Sequence, residues 1–287
     1  MHATVKRMAV LSLACLLVSA CFQAYAESPQ MRRALARLAA TTGPYSFAVI
    51  GDNRTGDQIY ANIIKAMMAR RPQFVVNTGD LITHPGNRKQ WARFWELSRP
   101  ITVPYLLTPG NHDVDDKESL EVWRDEVDLP GNESYYSFVV GKDLFVVLNS
   151  CEPGQDRRIV GRQLAWLTRT LNPKRYRYQF VFLHHPLFMW SGASYKGRSL
   201  DRYPELRDQL HRLFMSKKVT AVFAGHEHTY KRMKVDGIDY IVTGGAGARL
   251  YSGFCHFIIL RVDGPIVEAK VIDRKGYLRD EFFLRGP

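Results

Sequence analysis

Four times in this chain a short apolar run stops at a glycine, and the residues straight after it carry a carboxylate, an amide or an imidazole. The patches are Gly51-Asp52, Gly79-Asp80, Gly110-Asn111-His112-Asp113 and Gly225-His226-Glu227-His228, and His184-His185 closes another apolar run between the last two. Short apolar runs bounded in this way read as strands buried on both faces. A site assembled from loops that leave several such strands is the arrangement of α/β folds.

The segments between the patches agree. Residues 45–50, 74–77 and 104–108 read as strands. Ile59, Ile63 and Met67 recur at helical spacing with Pro72 beyond their end, and a tryptophan-rich helix is predicted over 90–97. This order predicts an α/β layered fold. In the second half, 135–140 and 144–149 flank Gly141-Lys142-Asp143 as a hairpin. Leu164, Leu167 and Leu171 form a helix stripe, and strands over 180–183 and 219–224 enclose a helix near 206–214. Strands and glycine turns alternate from 238 to 283. No repeat, low-complexity tract or linker divides residues 44–287, which read as one domain.

The N-terminus carries a different signature. A basic stretch over 1–7 precedes an apolar one over 8–20 and the small-x-small run Ala24-Tyr25-Ala26. This reads as an export signal over 1–26, giving a periplasmic or secreted product. Val18-Ser19-Ala20-Cys21 also resembles a lipobox, which would leave Cys21 as a lipid anchor. Residues 27–43 read as a peripheral leader with a short helix over 32–40. After cleavage only Cys151 and Cys255 remain, open to a disulfide or to two free thiols. The net charge of +12 suits anionic substrates, nucleic acid or anionic lipid alike. No aromatic-interleaved basic stretch or helix-turn-helix pattern is present, so nucleic acid is not an expected partner.

Asp52, Asp80, Asn111, His184, His226 and His228 are ligand types for hard to borderline cations. Singly, each is an ordinary helix cap or core residue. Together, each at the exit of a predicted strand, they point to a dinuclear metal site. The glycines are expected to let the backbone turn sharply there. Ser150 and Cys151 have no basic residue beside them in sequence, so a covalent mechanism is not expected.

From residue 45 to the C-terminus the chain resembles the calcineurin-like metallophosphoesterases. Gly225-His226-Glu227-His228-Thr229-Tyr230-Lys231-Arg232 with Gly244-Gly245-Ala246-Gly247 looks most like the purple acid phosphatase side of that superfamily. The resemblance implies a four-layer α/β/β/α sandwich and two divalent or trivalent ions (Mn, Fe or Zn). It implies hydrolysis of phosphate mono- or diesters of small molecules by a metal-bound hydroxide. Asp80 would bridge the metals, Asp52 and His228 would serve the first, and Asn111, His184 and His226 the second. His112 would protonate the leaving oxygen and Asp113 would hold its imidazole. His185 is a near neighbour of either structural or substrate-binding character.

The pattern breaks at two positions. Asp52-Asn53-Arg54 puts an arginine where most of the family has a histidine ligand, and Thr83 stands where purple acid phosphatases supply a tyrosine. A guanidinium has no lone pair to offer a metal. Three readings follow. Water, Asn53, Thr83 or His84 completes the first site; or the first metal is weak; or the chain is a metal-depleted, catalytically impaired relative that binds a phosphorylated or anionic ligand. Arg54 would then contact substrate phosphate or pair with a carboxylate at the rim. The stretch 188–202, with Trp190, Tyr195, Lys196 and Arg198, reads as an exposed loop near the site, either a lid or a plain surface loop.

Overall fold

The apolar runs become two β-sheets packed face to face. The structure, a computed structural model, describes residues 27–284; the expected export signal and Cys21 lie outside the described residues. In chain order the elements are α1 (Pro29–Ala39), β1 (Tyr45–Ile50), α2 (Asp57–Met68), β2 (Phe74–Asn77), α3 (Arg88–Ser98), β3 (Tyr105–Leu107), α4 (Lys117–Glu126), β4 (Tyr136–Val140), β5 (Asp143–Val147), α5 (Gly161–Thr170), β6 (Gln179–Leu183), α6 (Pro204–Ser216), β7 (Ala221–Ala224), β8 (Tyr230–Val235), β9 (Ile238–Thr243), β10 (His256–Asp263), β11 (Ile266–Asp273) and β12 (Leu278–Leu284).

One sheet runs β12-β11-β10-β1-β2-β3 and the other β4-β5-β6-β7-β9-β8. β1, β2 and β3 are parallel, as are β5, β6, β7 and β9, with antiparallel strands at the flanks. β2, β5, β6 and β7 are buried at every position, because a sheet covered on both faces has no wet side towards which to alternate. Alternation decides instead which core a residue enters. Phe145, Phe180, Phe182 and Phe223 face the other sheet, and both Phe47 and Phe74 meet Phe145 edge-on at 5.1 Å. Val146, Val181, Leu183 and Val222 face the opposite way, onto Leu167 of α5 and Leu210 and Phe214 of α6. Tyr60, Ile63 and Met67 of α2 and Trp91 and Phe94 of α3 join the core of the first sheet. This is an α/β/β/α sandwich. Each buried phenylalanine contributes about 1.5–3 kcal/mol, and the seam they build sets the loops of one sheet against those of the other.

Two elements lie outside the sequence expectations. α4 is started by Asp116, whose side chain accepts from Ser119 N at 2.8 Å in a reciprocal capping box. β8 is an edge strand with no fully buried position. Cys151 and Cys255 are both free thiols, which closes the disulfide alternative.

Candidate metal centre

Asp52, Asp80 and Asn111 follow β1, β2 and β3 of one sheet, and His184, His226 and His228 follow β6 and β7 of the other. The chain turns hardest at the ligands themselves. Asp52 (φ 57°), Asp80 (φ 59°) and His226 (φ 67°) all take the left-handed conformation, at roughly 1–2 kcal/mol each. Of the four glycines that open the patches, Gly79 alone has a positive φ, 100°. Gly110 and Gly225 are required for room instead. A Cβ on Gly110 would strike Asp80 Oδ1, and one on Gly225 would strike Asp52 Oδ2. Gly225→Ala is therefore expected to displace the Asp52 carboxylate and weaken the first metal position while sparing the second. Elemental analysis should show a loss of about half the metal bound per chain, and undiminished content would refute this account.

Three imidazoles are oriented in the same way. His184 Nδ1 lies 2.9 Å from Thr78 O, His228 Nδ1 2.8 Å from Arg249 O and His112 Nδ1 2.7 Å from Thr83 O. A carbonyl only accepts, so each Nδ1 carries the proton and each Nε2 of the neutral ring presents a lone pair. His184 Nε2 faces Asn111 Oδ1 at 3.1 Å, His226 Nδ1 at 3.2 Å and Asp80 Oδ1 at 3.3 Å. Four potential ligand atoms are thus crowded together, and a cation would satisfy them jointly. His228 Nε2 meets Asp52 Oδ1 at 3.5 Å, and Asp52, Asp80 and His228 form a second group of ligating atoms. Burial, reinforced by His185 and His184, holds His226 well below the ordinary histidine pKa and hence neutral, as a ligand must be. Burial opposes the Asp80 charge, but its neighbours, led by His184, His112 and Arg54, outweigh it and bring its pKa down to about 2. The donor set fits cations: Asp52, Asp80 and His228 would hold one, and Asn111, His184 and His226 beside Asp80 would hold another.

A family model described as calcineurin-like phosphoesterase matches residues 45–230, more than half of the chain and all of the proposed ligands. The chain belongs to the calcineurin-like phosphoesterase family. It is 30% identical to human serine/threonine-protein phosphatase CPPED1 over 192 residues, 63% of this chain and 61% of that protein. It is 28% identical to the Fe(3+)-Zn(2+) purple acid phosphatase 12 of Arabidopsis thaliana over 226 residues, 70% of this chain and 46% of that one. The chain thus spans less than two thirds of the length of either relative. In fold it is similar to purple acid phosphatase PPD1 of yellow lupin, with a TM-score of 0.71 at 18% identity over 85% of this chain and 54% of that one. It is also similar to a zebrafish dimetal phosphatase, with a TM-score of 0.60 at 16% identity over 86% of this chain and the whole of the other.

This calcineurin-like phosphoesterase departs from three of the sequence expectations. Asp113 does not hold His112. Its fully buried carboxylate accepts from the backbone N–H groups of Gly110 (2.8 Å), Asp80 (2.9 Å), Leu81 (2.9 Å) and Ile82 (3.1 Å), and the Thr83 carbonyl orients the imidazole. Asp113 ties the β2 loop to the β3 loop. Asp113→Ala would leave four buried donors unpaired and should cost roughly 3 kcal/mol or more, read as a lower urea midpoint with unchanged slope. His185 does not reach substrate either. It is wholly buried, with Nδ1 3.0 Å from Ser150 Oγ and its ring 4.4 Å from that of His226. The base that sequence did not place near Ser150 is thus present. Yet both residues are fully buried, and burial drives the Cys151 thiol pKa well up, so neither offers an accessible nucleophile. Asn53 and His84 do not complete the first metal position: Asn53 bonds Asn77 and Leu81 O, and His84 bonds Gln90.

Arg54 pairs with Asp80, its Nε 3.1 Å from Oδ2, with its side chain only 14% exposed. It lines a cleft of about 160 Å³ together with Asp80, Asn111, His112, Arg157, Tyr195, Arg198 and His226. Arg157 was not singled out from sequence. It lies in the turn-rich 151–160 segment with φ 58°, where no periodic pattern marks a residue.

Proposed function

We propose that this chain is an exported, metal-dependent phosphohydrolase that cleaves small phosphomonoesters. The observation that carries the reading is the crowding of Asn111 Oδ1, Asp80 Oδ1 and His226 Nδ1 within 3.3 Å of His184 Nε2, beside a cleft that His112 lines. Two cations bound by these residues and by Asp52 and His228 would activate water and neutralise phosphoryl charge. The chain supplies the rest. Arg54, Arg157 and Arg198 line the cleft, and three guanidinium groups suit a dianionic monoester better than a singly charged diester. His112 has its Nδ1–H fixed on Thr83 O, so in the imidazolium form its Nε2–H would be the proton offered to the leaving oxygen. Asp52, Asp80 and His228 leave the first position open beyond three ligands, as catalytic metal sites require. Names given to relatives, a protein phosphatase and purple acid phosphatases, support the same chemistry. The signature over 1–26 supports export, with a soluble product cleaved after Ala26.

The test is to purify the exported chain, count metal per chain, and assay 4-nitrophenyl phosphate and bis(4-nitrophenyl) phosphate with Mn, Zn, Fe or Mg. Metal-dependent turnover that favours the monoester is expected. A folded protein that no metal activates towards either ester would sink the reading. The mass of the exported chain reports the cleavage point.

A further inference from the structure

Glu227 stands between two ligand histidines but serves neither metal group. It is 2% exposed, and both its oxygens are taken by the main chain of one loop. Oε1 accepts from Ser194 N at 2.6 Å and Oε2 from Tyr195 N at 2.8 Å. Burying a carboxylate is costly unless its hydrogen bonds are made, and here they fix the middle of residues 188–202, between β6 and α6.

What they fix is Tyr195. Its ring lies on His226, with centroids 4.5 Å apart and planes at 29°. Its hydroxyl bonds the hydroxyl of Tyr251, whose ring stacks on His228 at 4.8 Å and 3°. Each histidine of the Gly225-His226-Glu227-His228 patch is thus capped by a tyrosine, and the two tyrosines are joined. A second tie runs from Arg157 Nε to Arg198 O at 2.7 Å. Tyr195, Arg157 and Arg198 all line the cleft.

We infer that Glu227 is a positioning residue that latches the 188–202 loop onto the site, and that the wall it holds, with Tyr195 at its centre, selects phosphoesters with a flat aromatic leaving group. This rests on the phosphoesterase reading. The guanidinium groups meet the anion, and Tyr195 offers a π surface beside it, where a ring gains from offset or edge-on stacking that an alkyl group cannot make.

Non-hydrolysable phosphonates separate binding from chemistry. Wild type should bind phenylphosphonate about tenfold more tightly than methylphosphonate, the scale of one aromatic contact. Glu227→Gln and Tyr195→Ala should each bring that ratio close to one, with unchanged metal content and an unchanged far-ultraviolet circular dichroism spectrum. The double variant should lose no more than either single one, since both act through one wall. Trypsin reads the latch without any activity: Lys196 and Arg198 are exposed, and Glu227→Gln should be cut there at least about fivefold faster. The latch is overturned if Glu227→Gln keeps wild-type trypsin resistance, and the selectivity if wild type shows no preference or the two losses add. A wild type that binds neither phosphonate while Glu227→Gln is cut faster counts against the phosphoesterase reading and the selectivity, and leaves the latch standing.

Discussion

Asp80→Ala should strip this protein of both metals and lower kcat/KM by about a thousandfold or more. One carboxylate touches everything that matters at the centre. Oδ1 lies 3.3 Å from His184 Nε2 and accepts from His112 N at 3.0 Å, while Oδ2 pairs with Arg54 at 3.1 Å. Alanine would remove the proposed shared ligand, free the His112 loop and leave Arg54 without its partner. Metal ions contribute several kcal/mol to phosphoryl transfer, and roughly each 1.4 kcal/mol is a factor of ten. Elemental analysis gives metal per chain, steady-state assays give the rate, and circular dichroism checks the fold. A variant that keeps its metal and most of its activity would mean that Asp80 does not bridge.

His112→Ala should cut turnover about 10²–10⁴-fold on an alkyl ester such as glycerol 2-phosphate, with both metals retained. The loss on 4-nitrophenyl phosphate should be much smaller, because nitrophenolate leaves without help from an acid. The distinction follows from geometry: Nδ1 is committed to Thr83 O at 2.7 Å, and Nε2 stands 4.0 Å from Asp80 Oδ2, so a single nitrogen is available for the transfer. Equal losses on the two esters would assign His112 to binding and remove it as the proton donor.

The parallel strands were the most legible part of this chain. Phe74–Asn77 and Gln179–Leu183 are buried at every position, so their apolar runs stand out and the polar residue that ends each run points to the site. α4 escaped because it opens on Asp115-Asp116-Lys117-Glu118, a charged stretch that hides Leu120 and Trp123; the Asp116–Ser119 capping spacing was the available signal. β8 escaped because Lys231, Arg232 and Lys234 on an exposed edge give no apolar period. The candidate ligand residues stood out by type and position, and the structure brings all six close together. Side-chain direction did not. Asp113 follows His112 in sequence, yet its carboxylate points into the loop junction and not at the neighbouring ring. The loop that carries Tyr195 was expected near the site, whereas Arg157 and Tyr251 reach it from irregular segments, where proximity arises from tertiary contact and leaves no trace in local spacing.

The left-handed backbone at Asp52, Asp80 and His226 has a consequence for the life of the protein. Each residue is held in a conformation that an isolated chain avoids, so the unloaded centre is a spring wound against its own loops. Cations bound by these three side chains would stabilise the wound form and make metal capture part of folding. Metal supplied while the chain folds would then raise the yield of folded protein, and a chelator present during folding would lower it.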